Sequence, residues 1–251
     1  MLEQQIPAAI ALVAACIAIY TDMKERIIPN KLTYPLIGAG IVYYMLLGAW
    51  RWDLLTFVSG ALGAALSFVI AYAMWMTGGW AGGDVKFFTA LGALLPFYQT
   101  PFVRSAPYPF PITILFNSVI AMLPILLIYG AFRKSRGLSV LYDTVKITEL
   151  KEGMIPADLI YEKGGKILRG SSRLGLKPAS DKVYADPSRA AGLTRHQVGT
   201  LKRLVSEGKL GNKIKLKKGM PFAPALGAGT FISVLYGDLY WAFLAVISGT
   251  L

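Results

Sequence analysis

Apolar residues in this chain come in long uncharged runs, and those runs set the first expectation. Segments 4–21, 32–50, 54–83, 87–103, 105–132 and 219–237 are each free of Asp, Glu, Lys and Arg. A helix needs roughly 20 apolar residues to cross a hydrocarbon core of about 30 Å, so six membrane-spanning helices are predicted. Segment 241–251 is too short for a seventh and is expected to prolong the last helix or to lie at the interface. The first run is expected to be retained. A secretory signal would start with positive charge, whereas this chain opens Met1-Leu2-Glu3-Gln4-Gln5, and Asp22 follows the run directly.

Residues 133–218 interrupt this pattern. Segments 140–150 and 154–169 mix β-branched and charged residues, with Gly164-Gly165 placed to close a hairpin. Further on, Thr194-Arg195-His196-Gln197 reads as a capping box opening a short helix that Gly208 ends. The predicted fold class is therefore an all-α polytopic membrane protein of six transmembrane helices, with a small α+β cytoplasmic insert between the fifth and sixth. Residues 1–132 form a membrane core with five helices, 133–218 the insert, and 219–251 the sixth helix and C-terminus.

Composition agrees, with 55% hydrophobic and 16% charged residues and a mean hydropathy of +0.51. The net charge of +12 changes the picture only once it is located. Residues 133–218 hold 20 basic and 8 acidic side chains, the whole net charge, and the rest of the chain sums to zero. Basic residues held at an anionic leaflet gain about 1 kcal/mol each, so membrane lipid is the expected partner of this surface. No nucleic-acid motif accompanies the charge, and no nucleic acid is expected as a partner.

The same charges orient the chain. Lys24, Arg26 and Lys31 follow the first run, Lys86 follows the third and the basic segment follows the fifth, while the opposite face has Arg51 and Arg104. Basic loops stay in the cytoplasm, which puts these three connections on the cytoplasmic side of the cell membrane and both termini outside. Cys16 and His196 are the single cysteine and histidine. An internal disulfide and a Cys-x-x-Cys zinc module are thereby excluded, and neither a Ser/His triad nor a metal or cofactor is expected.

Two acids then stand out, because both fall at run ends on the predicted cytoplasmic face. Asp22 closes the first run, where the negative end of a helix disfavours a carboxylate; alone, it reads as an interfacial charge paired with Lys24 or Arg26. Asp84 follows Gly82 and Gly83, and alone it reads as a helix cap. The two glycines permit close approach of another backbone beside the acid. Two carboxylates brought together cannot both ionise easily, so one keeps a proton while the other stays anionic. That pairing suits aspartic proteolysis: the anion takes a proton from an attacking water, and the acid donates to the carbonyl oxygen or leaving nitrogen.

The sequence around each acid carries a family resemblance. Asp22-Met23-Lys24-Glu25-Arg26-Ile27-Ile28-Pro29-Asn30-Lys31-Leu32-Thr33 resembles the first aspartate motif of type IV prepilin peptidases. Gly82-Gly83-Asp84-Val85-Lys86-Phe87-Phe88-Thr89-Ala90-Leu91-Gly92-Ala93 is similar to their Gly-x-Gly-Asp box, with Ala81 where the first Gly is usual. A third block, Gly219-Met220-Pro221-Phe222-Ala223-Pro224-Ala225-Leu226, resembles the Ile-Pro-Phe-Gly-Pro segment that opens a late span, with Ala223 in place of Gly. The resemblance covers about 6–132 and 219–240.

That resemblance implies a membrane aspartic endopeptidase with Asp22 and Asp84 catalytic and with Gly82 and Gly83 shaping the site. Its implied substrate is a pilin-like or archaellin precursor, with a short basic leader ahead of a hydrophobic helix and the cut near their junction. Because the chain starts at its first span and lacks the paired cysteines of the bacterial enzymes, it looks like the archaeal preflagellin and prepilin peptidase branch. Pro29 and Asn30 are expected to start the second span, Asn30 as its cap, and Lys24, Arg26 and Lys86 to tune the acids or contact lipid. Asp53 and Asp238 belong to the outer face, Asp238 as an interfacial stop.

Two other readings compete. A presenilin or signal-peptide-peptidase type protease also uses Gly-x-Gly-Asp and a Pro-Ala-Leu, here Pro224-Ala225-Leu226, but it expects a mid-span Tyr-Asp and nine spans. An ion-coupled transporter would set acids near the bilayer midplane and relate its two halves in hydropathy, and neither feature is visible.

Overall fold

Each uncharged run contains helix in the computed structural model, which describes residues 2–77, 79–100, 106–136, 142–170, 180–187, 192–217 and 222–249. Helices α1 (Leu2–Glu25), α2 (Asn30–Arg51), α3 (Leu54–Met76) and α5 (Phe110–Ser135) have 22 to 26 residues. Among the described residues these four are long and apolar enough to cross a membrane. Helices α7 (Ala223–Leu235) and α8 (Leu239–Ser248) meet at 57° and make a fifth crossing if read as one broken span.

Four to five candidate crossings thus stand where six were predicted. The shortfall is α4 (Gly82–Leu94), whose 13 residues rise only about 20 Å. Leu95 leaves helical geometry just before Pro96, as the residue preceding proline tends to do. Residues 101–103 at the end of that run, the start of the next at 105, Gly78, and Gly219-Met220-Pro221 of the third block lie outside the described residues. Nor does α8 prolong α7 in line.

No more than 39% of the apolar window of any of the four long helices is buried within the protein. Leu46, Leu55, Leu62, Val69 and Leu127 are all more than half exposed. Such continuous apolar surface is stable only in an apolar solvent, so this is a multi-pass membrane protein.

The membrane unit is built around α4. Every α4 residue from Asp84 to Leu94 except Lys86 is buried, the pattern of a helix surrounded by protein. Small residues let its neighbours close in. A methyl added at Gly40 of α2 would meet the Ala93 backbone, and one at Gly63 of α3 would meet the Gly92 carbonyl. Helix α7 packs on α1, where Gly227 leaves room for Ile19, and Gly229 sits against Ser118 of α5.

Gly92→Ala would press a methyl onto Ser67 Oγ and the Gly63 carbonyl. It is expected to cost about 1–3 kcal/mol, seen as a lower unfolding midpoint in detergent. Gly38→Ala, with nothing within 4 Å of the added carbon, is the matched control and should unfold as the parent does.

Away from the acids, α5, α7 and α8 are joined by a buried polar network. Asp238, 3% exposed, accepts from Tyr108 Oη at 2.6 Å, Thr113 Oγ1 at 2.8 Å and the Trp241 N–H at 2.8 Å. Asn117 donates to Ser233 Oγ and the Gly237 carbonyl and accepts from the Leu239 N–H. Asp238 is therefore no interfacial stop: it caps α8 from inside the protein.

Residues 129–220 belong to a second compact unit. It contains the antiparallel pair β1 (Tyr142–Val145) and β5 (Ile214–Lys217), and the sheet of β2 (Leu159–Lys163), β3 (Lys166–Gly170) and β4 (Lys182–Ala185) in order β3-β2-β4. Gly164 and Gly165, at φ 57° and 75°, close the β2–β3 hairpin as anticipated. Helix α6 (Arg195–Ser206) starts at the Thr194–Gln197 capping box, and Gly208 follows it at φ 70°. Ile147, Ile160, Leu193, Leu201 and Ile214 fill this unit's own core.

Candidate active site

Helix α1 stops just beyond Asp22. Arg26 takes left-handed backbone at φ 58°, and its N–H donates to the Asp22 carbonyl at 3.0 Å. That conformation costs a residue with a side chain roughly 1–2 kcal/mol, and here it turns the chain sharply toward α2. Ile28 is drawn into the core at 5% exposure, and Pro29, at φ −64° and ψ 136°, is the cap position from which α2 starts. Asn30, expected to cap this helix, is its first helical residue instead. Its Oδ1 accepts from Lys86 Nζ at 2.7 Å and so ties α2 to α4.

Asp84 lies in the first turn of α4, where its Oδ2 accepts from the Ala81 N–H at 3.0 Å. Ala81, not Asp84, holds the cap position. A Cβ on Gly83 would come within 3.3 Å of Ile28 Cβ, so the missing side chain lets the Asp22 block close on the Asp84 block. A Cβ on Gly82 would meet nothing within 4 Å; that glycine leaves open space beside the acid.

Both acids are buried, Asp22 at 8% and Asp84 at 5% exposure. They line one cavity of about 230 Å³ together with Arg26, Asn30, Gly82, Gly83 and Lys86, near enough for the charge of Asp22 to act on Asp84. Ala223, the first residue of α7, lies near enough for its N–H to act on the Asp22 carboxylate. Among the described residues none donates to Asp22 Oδ2, so that oxygen keeps its acceptor capacity for a group from outside the protein. Lys24 is not in this cavity and lies over the Tyr20 ring. Asp53 is elsewhere too, accepting from the Leu55 and Thr56 N–H groups at the start of α3. Among the described residues no three of His, Cys, Asp and Glu converge as a metal site would require.

The Ala223 amide escaped the sequence reading. Its block was recognised by resemblance, and Ala223 is fully buried, but a backbone donor has no residue signature. Pro224, placed at the start of α7, was the available signal, since proline in a first turn marks where a helix points its free N–H groups.

The model of the type IV leader peptidase family matches residues 9–127. The matched stretch includes both acids and all of α4. The chain is also similar to prepilin peptidase EppA of Methanothermobacter thermautotrophicus. The two are 28% identical over an alignment of 372 positions that covers 95% of this chain and 96% of that one. The resemblance carried by the two aspartate blocks and the family match thus agree, and the protein is a protease.

Proposed function

We propose that this protein is a membrane-embedded aspartic endopeptidase that removes the short basic leader from type IV prepilin-like or preflagellin precursors at the cytoplasmic face. The observation that carries this reading is the convergence of Asp22 and Asp84 on one cavity within the stretch that matches the leader peptidase family. Asp22 and Asp84 are its catalytic pair, one protonated and one anionic at the start of the cycle. The anionic carboxylate takes a proton from water as the water oxygen attacks the scissile carbonyl. The protonated carboxyl gives its proton to the carbonyl oxygen, and collapse of the tetrahedral intermediate delivers a proton to the leaving nitrogen. Gly82 and Gly83 admit the substrate backbone beside the acids. These steps call on no metal or cofactor.

In this reading the chain crosses the membrane six times. Helix α4 with the residues that follow it makes the fourth pass, and the α7–α8 pair makes the sixth. The basic connections and the 133–218 insert are cytoplasmic, between the membrane portions 1–132 and 219–251, and both termini are outside. The insert meets anionic lipid, not nucleic acid. The precursor presents its basic leader to the cytoplasm and its hydrophobic helix to the bilayer, which brings the junction to the acids. The relationship to an archaeal prepilin peptidase favours the archaeal branch.

Vesicles containing the protein are expected to release the leader from a type IV precursor by a single cut at that junction, identified by mass spectrometry; an intact precursor overturns the reading. Orientation has its own test. In a Cys16→Ser background, single cysteines at Lys24 and Lys86 are expected to react with an impermeant maleimide from the cytoplasmic side and one at Trp52 from the outside. Labelling of positions 24 and 86 from opposite sides would contradict a shared site.

A further inference from the structure

A second cavity, of about 330 Å³, adjoins the one that holds the acids, and Gly82 and Lys86 line both. Its chemistry differs. Tyr34 of α2, Phe68, Tyr72 and Trp75 of α3, and Val85 of α4 form its walls. The three α3 aromatics fall at i, i+4 and i+7, one stripe of the helix. They stack in sequence, Phe68 on Tyr72 at 5.6 Å and Tyr72 on Trp75 at 5.3 Å between ring centres. Earlier in α3, Gly60 and Gly63 bring its backbone against α2 and α4; farther along, bulky rings replace glycine and leave the groove. Phe68 and Tyr72 stay nearly half exposed.

Lys86 marks the border between the two spaces. Its Nζ donates to Asn30 Oδ1 on the acid side and lies 5.4 Å from the Tyr34 ring centre on the aromatic side. Gly82 leaves the passage open, because no atom lies within 4 Å of where its Cβ would be. A polypeptide lying across Asp84 passes from a polar cavity to an apolar groove over one glycine.

We propose that this aromatic groove is the specificity pocket for the apolar residues that immediately follow the scissile bond of the precursor. The proposal rests on the peptidase reading and adds to it where the substrate's hydrophobic segment docks. Continuity selects this occupant. A substrate cut where a basic leader meets a hydrophobic helix must place apolar side chains within a residue or two of the acids, and the groove is walled by Val85, the residue after Asp84. Its volume is near the lower end of the roughly 300–1,000 Å³ usual for ligand pockets, so it takes a few side chains while the rest of the helix stays in lipid.

The test uses the full chain in vesicles and two substrates: a type IV precursor, and the same precursor with the four residues after the cut changed to serine. Phe68→Ala and Tyr72→Ala are each expected to raise KM for the unaltered precursor on the order of tenfold, as loss of an apolar contact does, with kcat little changed. KM for the serine-substituted precursor should be the same for parent and variants. In parallel, a photoreactive phenylalanine analogue at the second position after the cut, trapped on Asp84→Asn protein, is expected to form adducts within 68–75. That measurement requires no change in the groove itself.

An unchanged KM for a precursor that is still cut, a KM that rises equally for both substrates, or adducts confined to other helices would overturn the groove assignment and leave the peptidase standing. A photoreactive phospholipid that labels 68–75 and resists displacement by excess precursor would overturn it in favour of bound lipid. Failure of the parent protein to cut the precursor at all overturns the peptidase reading first.

Discussion

Asp84→Asn protein, reconstituted with a type IV precursor, is expected to cut it about 10²–10⁴-fold more slowly than the parent while unfolding at nearly the same temperature. The size of the loss follows from the chemistry removed: a positioned acid or base contributes about 10²–10⁴, and an amide at Asp84 can neither supply nor take the proton. The retained stability follows from the geometry. Asparagine matches aspartate in shape, and its Oδ1 can still accept from the Ala81 N–H that Asp84 holds at 3.0 Å. Asp22→Asn is expected to behave alike, keeping an acceptor for the Ala223 N–H. Were Asp84 only an acceptor for the Ala81 N–H, its asparagine variant would remain active, because Asn keeps that acceptor. Initial rates and thermal unfolding measured on the same preparation separate the two roles.

The second large effect is on stability, away from the acids. Asp238→Ala is expected to cost about 2–4 kcal/mol, because the Tyr108 and Thr113 hydroxyls and the Trp241 N–H lose a shared buried acceptor. Asp238→Asn keeps one acceptor oxygen and should cost less than half as much. Chemical unfolding in detergent reads both. Asp238 lines a different cavity from Asp22 and Asp84, so the folded fraction of each variant should retain the parent's turnover. A stability unchanged in Asp238→Ala would mean that the carboxylate sits at the water interface, the role first expected of it.

What the chain disclosed in advance, and what it withheld, follows one physical line. Helices α1, α2, α3 and α5 were legible because their apolar faces meet lipid, and a crossing that meets lipid needs many uncharged residues in a row. Helix α4 is equally apolar, yet it is apolar because protein surrounds it, and hydropathy does not distinguish burial in lipid from burial in protein. Its length was therefore overestimated. The β2–β3 hairpin and the α6 cap could be anticipated because they depend on adjacent residues, whereas the pairing of Tyr142 with Lys217 joins strands with the whole insert between them.

The site divides in the same way. Asp22 and Asp84 were legible from their blocks, and the cavity that holds both is a tertiary fact that no spacing encodes. The Ala223 amide and the Lys86–Asn30 bond depend on α7 and α2 closing on α1 and α4, so the residues alone suggested other roles: a cap for Asn30, and tuning of the acids or lipid contact for Lys86.

A double-mutant cycle on precursor cleavage tests the pairing of the two acids most directly. Asp22→Asn, Asp84→Asn and the double variant are reconstituted at equal density, and initial rates are measured on one precursor. If the acids act as a unit, each single variant loses nearly all activity and the double variant is no slower than either, as in other catalytic groups whose effects are strongly non-additive. Losses that multiply in the double variant, or full cleavage by either single variant, would contradict the dyad.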